Sequence, residues 1–113
     1  MCGFAGEIRF DGAVADIAAV ARMNEVLRPR GPDGQGVKSE RNFAFGHRRL
    51  KIIDLSEKAA QPMTDPELGL TIVFNGCIYN YRDLQKELRA AGYRFFSDGD
   101  TEVVLKAYDL WGP

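Results

Sequence analysis

The chain has 113 residues, of which 45% are apolar, 11% aromatic and 27% charged, with 15 Lys and Arg against 16 Asp and Glu. This is the composition of one globular domain with a modest core, and it excludes a disordered or fibrous chain. A formal net charge of -1 offers no basic excess for nucleic acid, and no stretch approaches the roughly 20 apolar residues of a membrane helix or the charged-then-apolar pattern of a signal peptide. The expectation is a cytoplasmic protein that binds neither nucleic acid nor membrane.

In chain order, Gly3 to Phe10 alternates loosely and predicts a strand closed by Asp11-Gly12. Ile17, Val20, Ala21 and Leu27 recur near helical spacing and predict a helix over Val14 to Leu27. The segment RPRGPDGQG (28–36), with its prolines and glycines, reads as a loop whose glycines permit positive φ. Strands are predicted at 42–47 and 49–54, followed by the polar stretch SEKAAQPMTDPE and a strand GLTIVFNG (69–76) ending in Asn-Gly. A helix over 81–91 follows, with Asn80 as N-cap, Leu84 and Leu88 inward and Gly92 as C-cap. Tyr93 to Ser97 reads as another strand. Val104, Ala107, Tyr108 and Trp111, at i, i+3, i+4 and i+7, predict a last helix with that face inward. The order of elements implies an α+β domain with a layered sheet.

One of the two cysteines stands directly behind the initiator Met. Once Met1 is removed, Cys2 carries a thiol and a free α-amine together. An α-amine titrates at about 7.7–8.0 and a thiol near about 8.5, so one residue can supply both nucleophile and base. The plainer alternative is a small packing residue at the start of a strand. Cys2 and Cys77 lack CxxC spacing and read as free thiols; a redox-sensing dithiol is the weaker alternative. One histidine and two distant cysteines make no metal-ligand set.

The segments RGPDGQG, GHRRLKIIDLS, QPM, FNGCIYNY and GDTEVVLKAY follow MCGFAGE in that order. Together, over essentially the whole chain, they resemble the glutamine amidotransferase domain of class II, the N-terminal nucleophile hydrolases, and within it the asparagine-synthetase-like branch. The Trp-Ala-Thr-His context of the amidotransferases that make glucosamine phosphate is absent. The resemblance implies a four-layer αββα sandwich, incomplete here, with residues 1–113 as its N-terminal portion and exposed edges that self-association, as in a homodimer, would cover. It implies hydrolysis of glutamine to glutamate and ammonia through a Cys2 thioester. A synthetase domain beyond residue 113 would use the ammonia, with ATP and Mg²⁺ acting there, since no phosphate-cradling loop is visible in these residues.

Site roles follow from the same resemblance. Asn75 and Gly76 match the oxyanion pair, with Gly76 also against substrate, although Asn-Gly is equally the favoured hairpin turn. Arg49 matches the arginine that holds the substrate carboxylate through a bidentate guanidinium, while neighbouring Arg48 points to the other face. Asp100 matches the acid that holds the α-ammonium, with a helix N-cap as its rival role and Asp98 as the alternative residue. His47 reads as structural, and RGPDG (30–34) as scaffold. Where asparagine synthetases usually have NGEIYN, this chain has NGCIYN, which places Cys77 at the site. NGCIYN and GYRFFSDGDTEVVLKAY resemble the enzymes that amidate N-acetylglutaminylglutamine. The alternative function is a non-catalytic glutamine-binding or regulatory fragment.

Overall fold

The structure, a computed structural model, describes residues 1–113. Its elements are β1 (Gly3–Ile8), α1 (Ile17–Val26), β2 (Gly34–Glu40), β3 (Phe43–Arg49), a short 3₁₀ turn (Glu57–Ala59), β4 (Met63–Asp65), β5 (Leu70–Ile72), α2 (Tyr81–Ala90) and α3 (Asp100–Trp111). The expected mixture of helices and β-sheet is present. β1, β3 and β2 form an antiparallel sheet in that order, and β4 and β5 form an antiparallel hairpin. No helix is long and apolar enough to cross a membrane.

Strand alternation divides β3 between two surfaces. Ala44, Gly46 and Arg48 face α1: Ala44 is fully buried in one cluster with Ala15 and Val20, and Arg48 Nε donates to the Asn24 carbonyl at 2.9 Å while its guanidinium pairs with Glu25. Phe45, His47 and Arg49 take the opposite face. There Lys38 of β2 donates to Thr64 of β4 at 2.7 Å, so the hairpin is tied to that side. α3 packs on β5 and on α2, with Leu88 and Val103 fully buried. Ten buried polar or charged side chains accompany eight buried apolar ones, so the polar pairings decide much of the geometry.

Several expectations are corrected. α1 starts at Ile17 rather than Val14, because the Asp16 carboxylate caps it, accepting from Ala19 N–H at 2.9 Å. The segment read as a loop to residue 36 already becomes β2 at Gly34, paired with Arg49 across the sheet. The strands expected at 49–54 and 93–97 do not form: β3 ends at Arg49, and 94–99 is a turn region held by side chains. The strand expected over 69–76 is confined to Leu70–Ile72.

On α3 the buried residues are Asp100 to Val103, Leu105 and Lys106, whereas Tyr108 and Trp111 are half exposed. Charged residues displace the apolar stripe because they satisfy one another. The Glu102 carboxylate accepts from the N–H of Phe96 and of Ser97 and from Ser97 Oγ, and it pairs with Lys106. Lys106 Nζ also lies 3.4 Å from Asp65 and over the Phe95 and Phe96 rings at 4.7 and 4.8 Å. After α2 the chain turns at Gly92, φ +99°, with Gly92 N–H donating to Arg89 O and Tyr93 N–H to Leu88 O. That is a Schellman ending, one position beyond the capping residue Ala91.

Candidate active site

The sheet register places Gly3 opposite Arg48, which brings Cys2 beside the exit of β3. Leu50 N–H donates to Cys2 Sγ at 3.2 Å, and the sulfur lies 3.6 Å from the Leu50 carbonyl. The RGPDG segment braces this junction. Arg30 Nε donates to the Cys2 carbonyl at 3.3 Å. Asp33 N–H donates to the Arg49 carbonyl at 3.0 Å, and its carboxylate accepts from Lys51 N–H at 3.1 Å. Gly31 is required for space rather than for positive φ, the reason expected from sequence: a Cβ there would lie 2.3 Å from the Arg48 carbonyl carbon.

Arg49 is buried at 8% exposure, and its guanidinium donates to the carbonyls of Ser56, at 2.6 Å, and Asp54. It therefore curls the chain after β3 into a loop. Asp54 in turn receives N–H bonds from Ser56 at 2.8 Å and Asp98 at 2.9 Å, joining that loop to the start of α3. Partial burial pushes the Asp54 carboxyl up, but these hydrogen bonds and the Arg49 charge outweigh it and hold the group below its ordinary value.

Asp100 is the first residue of α3 and is buried. Gly99, not Asp100, is the N-cap, and the Asp100 carboxylate instead accepts from Ile78 N–H at 2.9 Å. Asp98 is exposed and meets Asp54 through its backbone. Phe74 is held on both sides: its N–H donates to Gln61 Oε1 at 2.6 Å, and its carbonyl accepts from His47 Nε2 at 3.2 Å. That bond fixes the protonated nitrogen as Nε2 and leaves buried Nδ1 without a partner. Burial lowers the His47 pKa, the Phe74 carbonyl opposes this, and the Arg49 charge adds to it.

These elements enclose a cavity of about 170 Å³, ample for an amino-acid-sized ligand given that one water needs about 10–15 Å³ on this measure. Of the residues singled out from sequence, Cys2, Arg49, Gly76, Cys77 and Asp100 all line it. Asn75 does not; it is exposed at the rim between Phe74 and Gly76. Gln61, Asp54, Phe74 and Thr101 also line the cavity, and sequence reading gave them no role. The QP pair was a visible signal for Gln61; nothing in spacing or composition marks Asp54 or Thr101. No three His, Cys, Asp or Glu side chains are grouped so that they could hold a metal ion.

A cysteine next to the chain start, an arginine and a buried acid thus line one pocket of an α+β domain. The chain belongs to the glutamine amidotransferase domain family, whose pattern matches residues 1–113. It is similar to "Asparagine synthetase [glutamine-hydrolyzing] 3" of Bacillus subtilis (strain 168), 42% identical over 114 residues, covering 98% of this chain and 18% of that protein. "Asparagine synthetase [glutamine-hydrolyzing] 1" of the same organism is 42% identical over 112 residues, 96% of this chain and 17% of that protein. "Asparagine synthetase B [glutamine-hydrolyzing]" of Escherichia coli (strain K12) is 33% identical over 115 residues, 100% of this chain and 20% of that protein. The chain thus spans a fifth or less of the length of these curated relatives.

Proposed function

We propose that this domain hydrolyses glutamine to glutamate and ammonia through a Cys2 thioester and passes the ammonia to a synthetase domain of the same protein, beyond residue 113. The observation that carries this reading is the single cavity walled by Cys2, Arg49, Gly76 and Asp100. Family membership supports it, as do the names of the relatives.

In the proposed chemistry, removal of exposed Met1 frees the Cys2 amine. The amine takes the thiol proton, and the sulfur attacks the γ-carbonyl of glutamine. The Asn75 side-chain amide and the Gly76 N–H receive the oxyanion, Arg49 the α-carboxylate and Asp100 the α-ammonium. Collapse of the tetrahedral species breaks the C–N bond, and ammonia leaves with the proton held by the amine. Water then attacks the thioester, giving glutamate and restoring the thiol. ATP and Mg²⁺ belong to the synthetase domain, and no step here runs through them.

The finer parts of the reading are a four-layer αββα arrangement, a cytoplasmic setting and an acceptor of the N-acetylglutaminylglutamine type. The stacking of α1, the three-stranded sheet, the hairpin and α3 supports the first. NGCIYN supports the last through its resemblance to that subgroup, with Cys77 on the cavity wall where asparagine synthetases usually carry Glu. The exposure of Asn75 outside the cavity lining, which takes one oxyanion donor away from the thiol, favours a second reading, a domain that binds glutamine without turnover. Glutamate release from glutamine by the Met1-processed chain, lost in Cys2→Ala, is the result expected of the hydrolase. Saturable glutamine binding without glutamate release decides for the second reading.

A further inference from the structure

The proposed oxyanion pair sits in a short bow of chain, and the structure shows what holds its ends. At one end the Phe74 carbonyl accepts from His47 of β3 and its N–H donates to Gln61. At the other, Ile78 N–H donates to Asp100. Only Asn75, Gly76 and Cys77 lie between. Gln61 does more than close one bond: its carboxamide nitrogen donates to Thr101 Oγ1 at 3.3 Å, next to Asp100 on α3. Its main chain has no slack against β2, since a Cβ on Gly36 would come within 2.2 Å of the Gln61 carbonyl oxygen. Because the Phe74 N–H must meet an acceptor, the amide orientation is fixed, with oxygen toward Phe74 and nitrogen toward Thr101.

We propose that Gln61 is a positioning residue that joins the Asn75–Gly76 end of the cavity to its Asp100 end; the proposal rests on the glutaminase reading above. Gln61 contributes to catalysis through the donors it locates rather than by transferring a proton. Oxyanion donors act at hydrogen-bond range, so a Phe74 peptide free to swing carries Asn75 and Gly76 out of register. A side chain with an acceptor at one position and a donor at the other serves both partners. Met offers neither; Glu still accepts from Phe74, and the Thr101 hydroxyl can rotate to donate to it.

The test compares wild type, Gln61→Met and Gln61→Glu by backbone amide hydrogen exchange, and by the rate at which 6-diazo-5-oxo-norleucine labels Cys2. Amides of α1 report global opening and normalise the exchange. In Gln61→Met, the hydrogen-bonded amides of Phe74 and Ile78 should exchange about tenfold faster relative to α1, and labelling of the folded protein should slow about tenfold, as expected for loss of one buried hydrogen bond. Gln61→Glu should restore both to within about threefold of wild type on the same reasoning. An unchanged exchange ratio in Gln61→Met, or labelling at the wild-type rate, overturns the proposal. If wild type itself is not labelled at Cys2, the glutaminase reading fails, and the exchange ratio alone decides whether Gln61 couples the two ends.

Discussion

The Leu50 backbone N–H donates to the Cys2 sulfur at 3.2 Å, so the thiol's place is set by how the chain leaves β3. Asp33 fixes that exit by bridging the Arg49 carbonyl and the Lys51 N–H. Asp33→Ala keeps the backbone bond and loses the side-chain one. It should lower unfolding free energy by about 1 kcal/mol and slow electrophile labelling of Cys2 in protein that remains folded. Denaturant titration and timed intact-mass spectra check the two effects separately.

Gly31 and Gly36 stand where backbone passes too close for a side chain. Added Cβ atoms would lie 2.3 Å from the Arg48 carbonyl carbon and 2.2 Å from the Gln61 carbonyl oxygen. Gly31→Ala and Gly36→Ala should each cost about 1–3 kcal/mol, since neither neighbour can rotate away. Gly34→Ala is the control: its nearest contact would be an ordinary 3.6 Å from Arg49 Cβ. Thermal unfolding of the three variants should separate the first two from the third.

His47 predicts an acid limb in stability. Its folded pKa lies below the ordinary 6.5, chiefly through burial. As pH falls through about 6.5 the unfolded chain takes up the proton first, so stability declines from there down to the lowered folded pKa and stops changing below it. His47→Gln, which keeps a donor for the Phe74 carbonyl, should flatten this slope. Unfolding free energies measured across the window check it, and an equal slope in the variant contradicts the assignment. Asp54, also lowered, contributes in the carboxylate range further down.

Lys106 is the cation for two buried acids, Glu102 and Asp65, whose side chains are 0% and 7% exposed. Lys106→Met should therefore cost about 3–5 kcal/mol by leaving charge without a partner. Adding Glu102→Gln should recover part of that loss. The melting temperatures of the single and double variants test the coupling.

The ordered motifs, through the resemblance they carry, singled out Cys2, Arg49, Gly76 and Asp100, and the fold brings these four to one cavity. Alternation placed Arg48 and Arg49 on opposite faces, and sequence signals placed α2 to within a residue, Asn80 standing at its N-cap position without a side-chain bond and Ala91 rather than Gly92 at its C-cap. Periodicity misled on α3, because a buried Glu102–Lys106 pair looks like a solvated face until Ser97 and Asp65 are brought to it through the fold. The strand expected at 49–54 failed for a related reason: Arg49 draws the carbonyls of Asp54 and Ser56 onto its guanidinium, and one side chain overrides a β-branched run. Gln61 and Asp54 act through partners 13 and 44 residues away in sequence, a relation that no local pattern records.

The most direct test of the account is the intact mass of the purified chain before and after 6-diazo-5-oxo-norleucine, with Cys2→Ala as control. The thiol displaces dinitrogen from the diazo carbon and forms a stable thioether. The account predicts loss of Met1 and one adduct, absent in Cys2→Ala and blocked by excess glutamine. A folded, Met1-processed chain that forms no adduct, or forms it only at Cys77, contradicts it.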